Sequence, residues 1–186
     1  MNTPRSTAPW AALWSMMVGF FVILVDSTIV AVAIPAIASA FDATYNQIIW
    51  VNSSYLLAYA VPLLVTGRLG DRVGPRTVYL FGLSLFTVAS LACGLANSIE
   101  ALILARAVQG FGGALVTPQT MSVMLRTFPP NQRGGAMGVW GATAGVATIV
   151  GPLLGGLLVD AWGWAWISWG SWWVRVRRGP HSERHE

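Results

Sequence analysis

The sequence predicts an all-α integral membrane protein with five transmembrane helices, and three observations carry that expectation. Hydrophobic residues make up 55% of the chain and charged residues only 10%, where an ordinary soluble domain carries about a quarter charged residues; the mean hydropathy is +0.61. The few charges are gathered into short breaks between long apolar runs. The basic residues outside the C-terminal tail and the apolar runs occupy every second break, the asymmetry that orients membrane proteins.

Each element follows from the distance between charges. A helix needs about 20 apolar residues to cross a hydrocarbon core of about 30 Å. Five runs reach that length, with cores at residues 13–35, 47–66, 77–97, 101–122 and 135–158. The first contains a single charge, Asp26, and the fourth a single charge, Arg106. Helix is the expected conformation because a lipid-exposed backbone must satisfy its own hydrogen bonds, and the alternating pattern of a membrane barrel is missing. Arg5, the apolar stretch after it and the "ASA" ending at Ala40 imitate a secretory signal. The stretch exceeds the 7–15 residues or so of a cleaved apolar region and carries Asp26, so it reads as a retained helix.

Short connections then force successive helices to run antiparallel. With a cytoplasmic N-terminus, residues 1–12, the residues Arg5, Arg68, Arg72, Arg76, Arg126 and Arg133 all fall inside, while the breaks at 36–46 and 98–100 hold no basic residue. The expected location is the bacterial inner or plasma membrane, multi-pass, with the lipid bilayer as the first partner.

The same inventory excludes several function classes. All basic side chains among the 11 are arginine, and they form no stripe of the kind that binds nucleic acid. Cys93 is the one cysteine, so there is no disulfide framework and no metal-ligand spacing. His181 and His185 lie in the terminal tail and read as solvated. No serine, histidine or cysteine constellation suggests hydrolysis or acyl transfer, and no phosphate-binding loop suggests ATP-driven pumping. An enzyme is not expected, nor a cofactor or metal; any energy-driven step would have to draw on an ion gradient.

The break "GRLGDRVGPR", Gly67 to Arg76, concentrates charge and glycine between two uncharged runs. It reads as a cytoplasmic loop between the second and third helices, with Gly67, Gly70 and Gly74 allowing a tight turn and close backbone approach. Topology explains the arginines but not Asp71 or the glycine spacing. Here the chain resembles the major facilitator superfamily, whose loop between helices 2 and 3 carries Gly-x-x-x-Asp-Arg-x-Gly followed by basic residues. Gly67, Asp71, Arg72, Gly74 and Arg76 match, and Pro75 stands where a basic residue is common. The resemblance implies a conformational latch, in which the aspartate meets a helix end of the transporter's other half; a helix N-terminus carries about half a positive charge.

Three further segments resemble that family, the first of them the first-helix signature of its fourteen-helix drug:proton antiporter branch. In the first span "LVDSTIVAVAIP" matches at Asp26, Thr28, Ile29, Val30, Ala33 and Pro35, with Ala31 replacing a usual asparagine. In the fourth, "LILARAVQGFGGA" presents Arg106, Gln109, Gly110 and Gly113, which share one helical face at i, i+3, i+4 and i+7. In the fifth, "GATAGVATIVGPLLGG" matches the antiporter motif at Gly138, Gly151, Pro152, Gly155 and Gly156, with Ala147 at a position usually glycine.

The resemblance implies export of small hydrophobic or cationic drugs coupled to protons, with Asp26 and Arg106 carrying the coupling. On the residues alone two readings of that pair stay open. Charges at mid-membrane usually face the interior and pair, so the two form either a structural ion pair or a proton- or cation-binding carboxylate controlled by its arginine. At 1.5 Å per residue their depths differ by roughly 5 Å, within reach of an arginine side chain. In the fifth span Gly141 with Gly145, and Gly151 with Gly155, also suit close helix packing with no transport role, and Pro152 predicts a kink. Trp50, Asn52 and Tyr55 are candidate cavity residues, though interfacial anchoring explains Trp50 equally well.

After Asp160 the pattern changes. "AWGWAWISWGSWWV" offers 14 uncharged residues, about 21 Å as a helix and short of the core. The following "RVRRGPHSERHE" places Arg175, Arg177, Arg178 and Arg184 on the side the other arginines avoid. Residues 13–160 therefore read as a partial N-terminal transporter half and residues 161–186 as an aberrant Trp/Arg-rich tail. The family fold uses six helices per half and two halves, so the expectation is a truncated form not active alone, whose partner is the missing C-terminal half. Two alternatives stand beside it: a half-size carrier working as a homodimer with a second copy, and a non-transporting membrane subunit.

Overall fold

The computed structural model describes residues 8–162; among them the chain is five helices with no strand. They are α1 Ala8–Phe41, α2 Tyr45–Val73, α3 Pro75–Gly94, α4 Ile99–Thr127 and α5 Pro130–Trp162. All five are long and apolar enough to cross a membrane. Expectations made for residues 1–7 and for the tail from residue 163 onward lie outside the described residues; the first two tail residues, Ala161 and Trp162, continue α5.

The connections are set by local chemistry. Asp42 closes α1 with φ 47°, a left-handed conformation that Asp tolerates better than most residues, and the Ala43 amide donates back to the Ala38 carbonyl at 3.1 Å. Thr44 then opens α2 with a capping box: its hydroxyl accepts from the Gln47 amide and its own amide donates to Gln47 Oε1. Ser98 caps α4 by accepting from the Ala101 amide at 3.2 Å.

The expected loop at 67–76 is a correction. α2 runs on to Val73, so Gly67, Gly70, Asp71 and Arg72 are helical, and the turn is a single residue, Gly74, at φ 101°. Pro75 begins α3 at once, a position where its missing N–H costs nothing.

α4 is the central helix. α2 runs beside it in the same direction, α3 lies antiparallel on another face, and α1 crosses it and packs along α5. Three nearly consecutive glycines make this possible. A Cβ on Gly110 would collide with the Tyr55 backbone of α2, and one on Gly112 would lie 2.8 Å from the Phe86 amide of α3. One on Gly113 would lie 3.3 Å from Ile23 of α1. Without side chains there, three helices approach one segment of α4 backbone, the packing mode that works where lipid removes the hydrophobic drive.

Apolar layers close the bundle above and below. Val30, Ala33, Ile37, Val51, Cys93, Ile99 and Leu102 pack where α1 ends. Leu13, Met17, Phe20, Met124, Phe128 and Ala136 pack where it begins. A polar cluster lies between them.

Candidate functional site

Asp26 and Arg106, the two charges buried in apolar runs, meet at mid-bundle. Arg106 Nη1 donates to Asp26 Oδ2 at 2.7 Å. One helical turn along α4, Gln109 Nε2 donates to Asp26 Oδ1 at 2.9 Å, and Arg106 Nη1 also reaches Gln109 Oε1 at 2.7 Å. Both carboxylate oxygens of α1 are thus held by α4. The shared face of Arg106 and Gln109 read from the sequence is what lets one carboxylate bridge them.

The cluster is shielded from solvent. Arg106 and Gln109 are each 1% exposed and Asp26 is 9% exposed. The guanidinium carbon sits 4.3 Å from the centroid of the Tyr55 ring, a cation–π contact that α2 contributes from beneath. The Cys93 thiol approaches Gln109 Oε1 at 3.6 Å. Arg106 Nε and Nη2 have no hydrogen-bond partner among the described residues.

This arrangement has a direct chemical consequence. A charge pair at this depth persists because each partner offsets the desolvation of the other. The two hydrogen bonds to Asp26 tie α1 to α4 at this depth.

Of the candidate cavity residues, Tyr55 alone joins this site; Trp50 is exposed on the bundle surface. The sequence hinted at Tyr55 through its place in an apolar run. Its role as the floor of Arg106 depends on Gly110, whose bare Cα lets α2 approach.

Of the residues of the expected latch, Gly67, Asp71 and Arg72 lie at the C-terminal end of α2, Gly74 is the turn and Arg76 is in the first turn of α3. Asp71 Oδ1 accepts from Arg126 Nη2 at 2.6 Å. The partner expected from the other half of a transporter is thus preceded, within this chain, by the last turn of α4. Both side chains are more than half exposed, so the pair contributes at most about 1 kcal/mol. Arg133, counted from sequence only as a topology marker, donates to the Phe128 and Leu125 carbonyls at 3.1 and 2.9 Å. It supplies partners to carbonyls at the end of α4.

The antiporter-motif glycines divide. Gly151 packs on Thr28 so closely that a Cβ would overlap its hydroxyl, and Gly155 lies against Ile29 and Val32. This ties the motif of α5 to that of α1. Gly138, Gly141, Gly145 and Gly156 have nothing within 4 Å of a built Cβ, so the expected Gly141/Gly145 packing pair meets no helix among the described residues.

A family model described as Major Facilitator Superfamily matches residues 16–171. The chain belongs to that family. It is 59% identical over 159 residues to an uncharacterized MFS-type transporter of Mycobacterium tuberculosis, covering 86% of this chain and 28% of that protein. It is 42% identical over 166 residues to the tetracenomycin C resistance and export protein of Streptomyces glaucescens, covering 88% of this chain and 31% of that one. The facilitator chain thus spans about a third of the length of these relatives. Its fold resembles a crystallised bacterial homologue of the human lysosomal transporter Spinster, inward-facing and unoccupied. The TM-score is 0.74 at 23% identity, covering 89% of this chain and 37% of that one.

Proposed function

We propose that this facilitator is part of a proton-coupled exporter of small hydrophobic or cationic compounds, working in the cell membrane with its N-terminus in the cytoplasm. The observation that carries the reading is the buried carboxylate of Asp26, held at both oxygens by Arg106 and Gln109 across two helices. Relatives described as resistance and export proteins support the substrate class. Coupling then consists of proton binding at Asp26, release of α4 and rocking of the two halves of the transporter. The driving force is the proton gradient, with no cofactor. Alternating access needs a second half, supplied by further chain or by a second copy.

The test is proton-driven efflux of a cationic dye from inverted vesicles, with this chain alone and with the chain extended to the length of its relatives. Export by the extended form that is abolished by Asp26→Asn supports the reading. Export by the short chain alone assigns the activity to a dimer of copies. Export that persists in Asp26→Asn at full rate removes Asp26 from coupling.

A further inference from the structure

α4 contains a proline at position 118, deep in a helix whose carbonyls have no water to turn to. Proline lacks an N–H, so the carbonyl of Ala114, four residues back, loses its intrahelical donor. The structure fills that gap from another helix. The Thr66 hydroxyl of α2 has one proton and two carbonyls in reach, Ala114 of α4 at 2.8 Å and Leu63 of its own helix at 3.0 Å, and the shorter contact is the one to Ala114. In return Gln119, the residue after the proline, donates its Nε2 to the Thr66 carbonyl at 2.9 Å. Thr66 is 3% exposed and Gln119 is fully buried at 0%.

The surrounding residues are shaped to this exchange. A Cβ on Gly70 would overlap the Gln119 amide, and one on Gly67 would lie 3.8 Å from Pro118. Gly70, inside the latch segment, therefore makes room for the glutamine, while Gly67 lies beside the proline with space to spare. One turn or so beyond Gly67 stands Asp71, and two turns beyond Gln119 stands Arg126, its ion-pair partner.

We propose that Thr66 and Gln119 are positioning residues: they splice the interrupted ladder of α4 at Pro118 to α2, and thereby hold the last two turns of α4, with Arg126, opposite Asp71. The ends of α2 and α4 then move as one body in spite of the proline. This deepens the proposed function, since its meaning for transport rests on Asp71 acting as the state-setting latch.

The experiment is hydrogen–deuterium exchange, read by mass spectrometry, on the chain in lipid nanodiscs. Thr66→Val keeps the shape and removes the donor; amides of residues 119–127 are expected to exchange roughly five-fold faster, the effect of one lost hydrogen bond, with α1 and α5 unchanged. Thr66→Ser is expected to match the parent. Adding Pro118→Ala to Thr66→Val is expected to restore protection, because residue 118 then donates to Ala114 itself. Parent-like exchange in Thr66→Val, or no recovery on adding Pro118→Ala, overturns the proposal. Should Thr66→Val unfold the chain, exchange rises in all five helices; recovery by both Thr66→Ser and the double variant then upholds the splice, and failure of either overturns it. Export by the extended transporter that is indifferent to Asp71→Asn, alongside the expected exchange pattern, would reject the latch and leave the splice standing.

Discussion

The pair α2 and α4 and the pair α1 and α5 both run parallel, yet they are joined by different means. Along α2 and α4 polar contacts recur from end to end: Gln47 to Glu100, Ser54 to the Ile103 carbonyl, Tyr59 to Thr117, Thr66 to the Ala114 carbonyl and Asp71 to Arg126. α1 and α5 meet through Gly151 and Gly155 and through apolar side chains such as Val25, Ile29 and Ala147. Hydrogen bonds in an apolar medium fix register, because a slipped partner has no water to replace it. Contacts between small residues fix distance but leave sliding cheap. The first pair is tied in register along its length, and the second is held chiefly by close approach.

The largest effect is expected where the two pairs join, at Asp26. Asp26→Ala leaves Arg106 charged and buried without its counter-ion, costing about 3–5 kcal/mol; thermal unfolding in detergent should show Asp26→Ala well below the parent. A melting temperature equal to the parent's would mean that the pair is not what holds α1 to α4.

Next comes the glycine core. In Gly112→Ala the new methyl meets the Phe86 backbone and the Gly82 carbonyl, groups that cannot swing away, so a loss of about 1–3 kcal/mol is expected. In Gly70→Ala the methyl meets the flexible Gln119 side chain instead, and the same melting experiment should show a smaller loss. A reversed order would place the rigid contact in the α2–α4 pair and not at α3.

A matched pair on α5 sharpens the contrast further. Gly151→Ala strikes Thr28, whereas Gly145→Ala enters open space, where alanine is the better helix former by roughly 1 kcal/mol. The first should lower the melting temperature of the chain and the second should not. If Gly145→Ala is neutral here but harmful in the extended transporter, that face of α5 is covered there. The smallest effect is expected for Arg133→Gln, which removes charge-assisted bonds to the Leu125 carbonyl of α4 and to that of Phe128 just after it and should cost about 1 kcal/mol, visible as faster exchange at residues 124–128.

Much of this was legible in the sequence because charge is so scarce. With one acid in the first apolar run and one base in the fourth, burial alone predicts their meeting, and the i, i+3 spacing adds Gln109. The five helices follow from the same scarcity. The segment from Gly67 to Gly74 was not legible as helix. Its glycines carry the composition of a turn, and only Gly74 has the positive φ that requires one. Gly70 is explained by Gln119, some fifty residues later, and no local pattern links them. Tyr55 likewise depends on a glycine in another helix. Signals that live in one segment were readable, and those that need two segments in contact were not.

Gly74 has a mechanical consequence. A connection one residue long offers no slack, so α2 and α3 behave as the two arms of a crank with its pin at that residue. Any tilt of α2 must be answered by α3, and through the tight crossing of Gly82 with Gly112 it returns to α4. Lengthening the pin by inserting a few flexible residues after Gly74 is expected to leave every helix in place and to let α2 and α3 tilt independently.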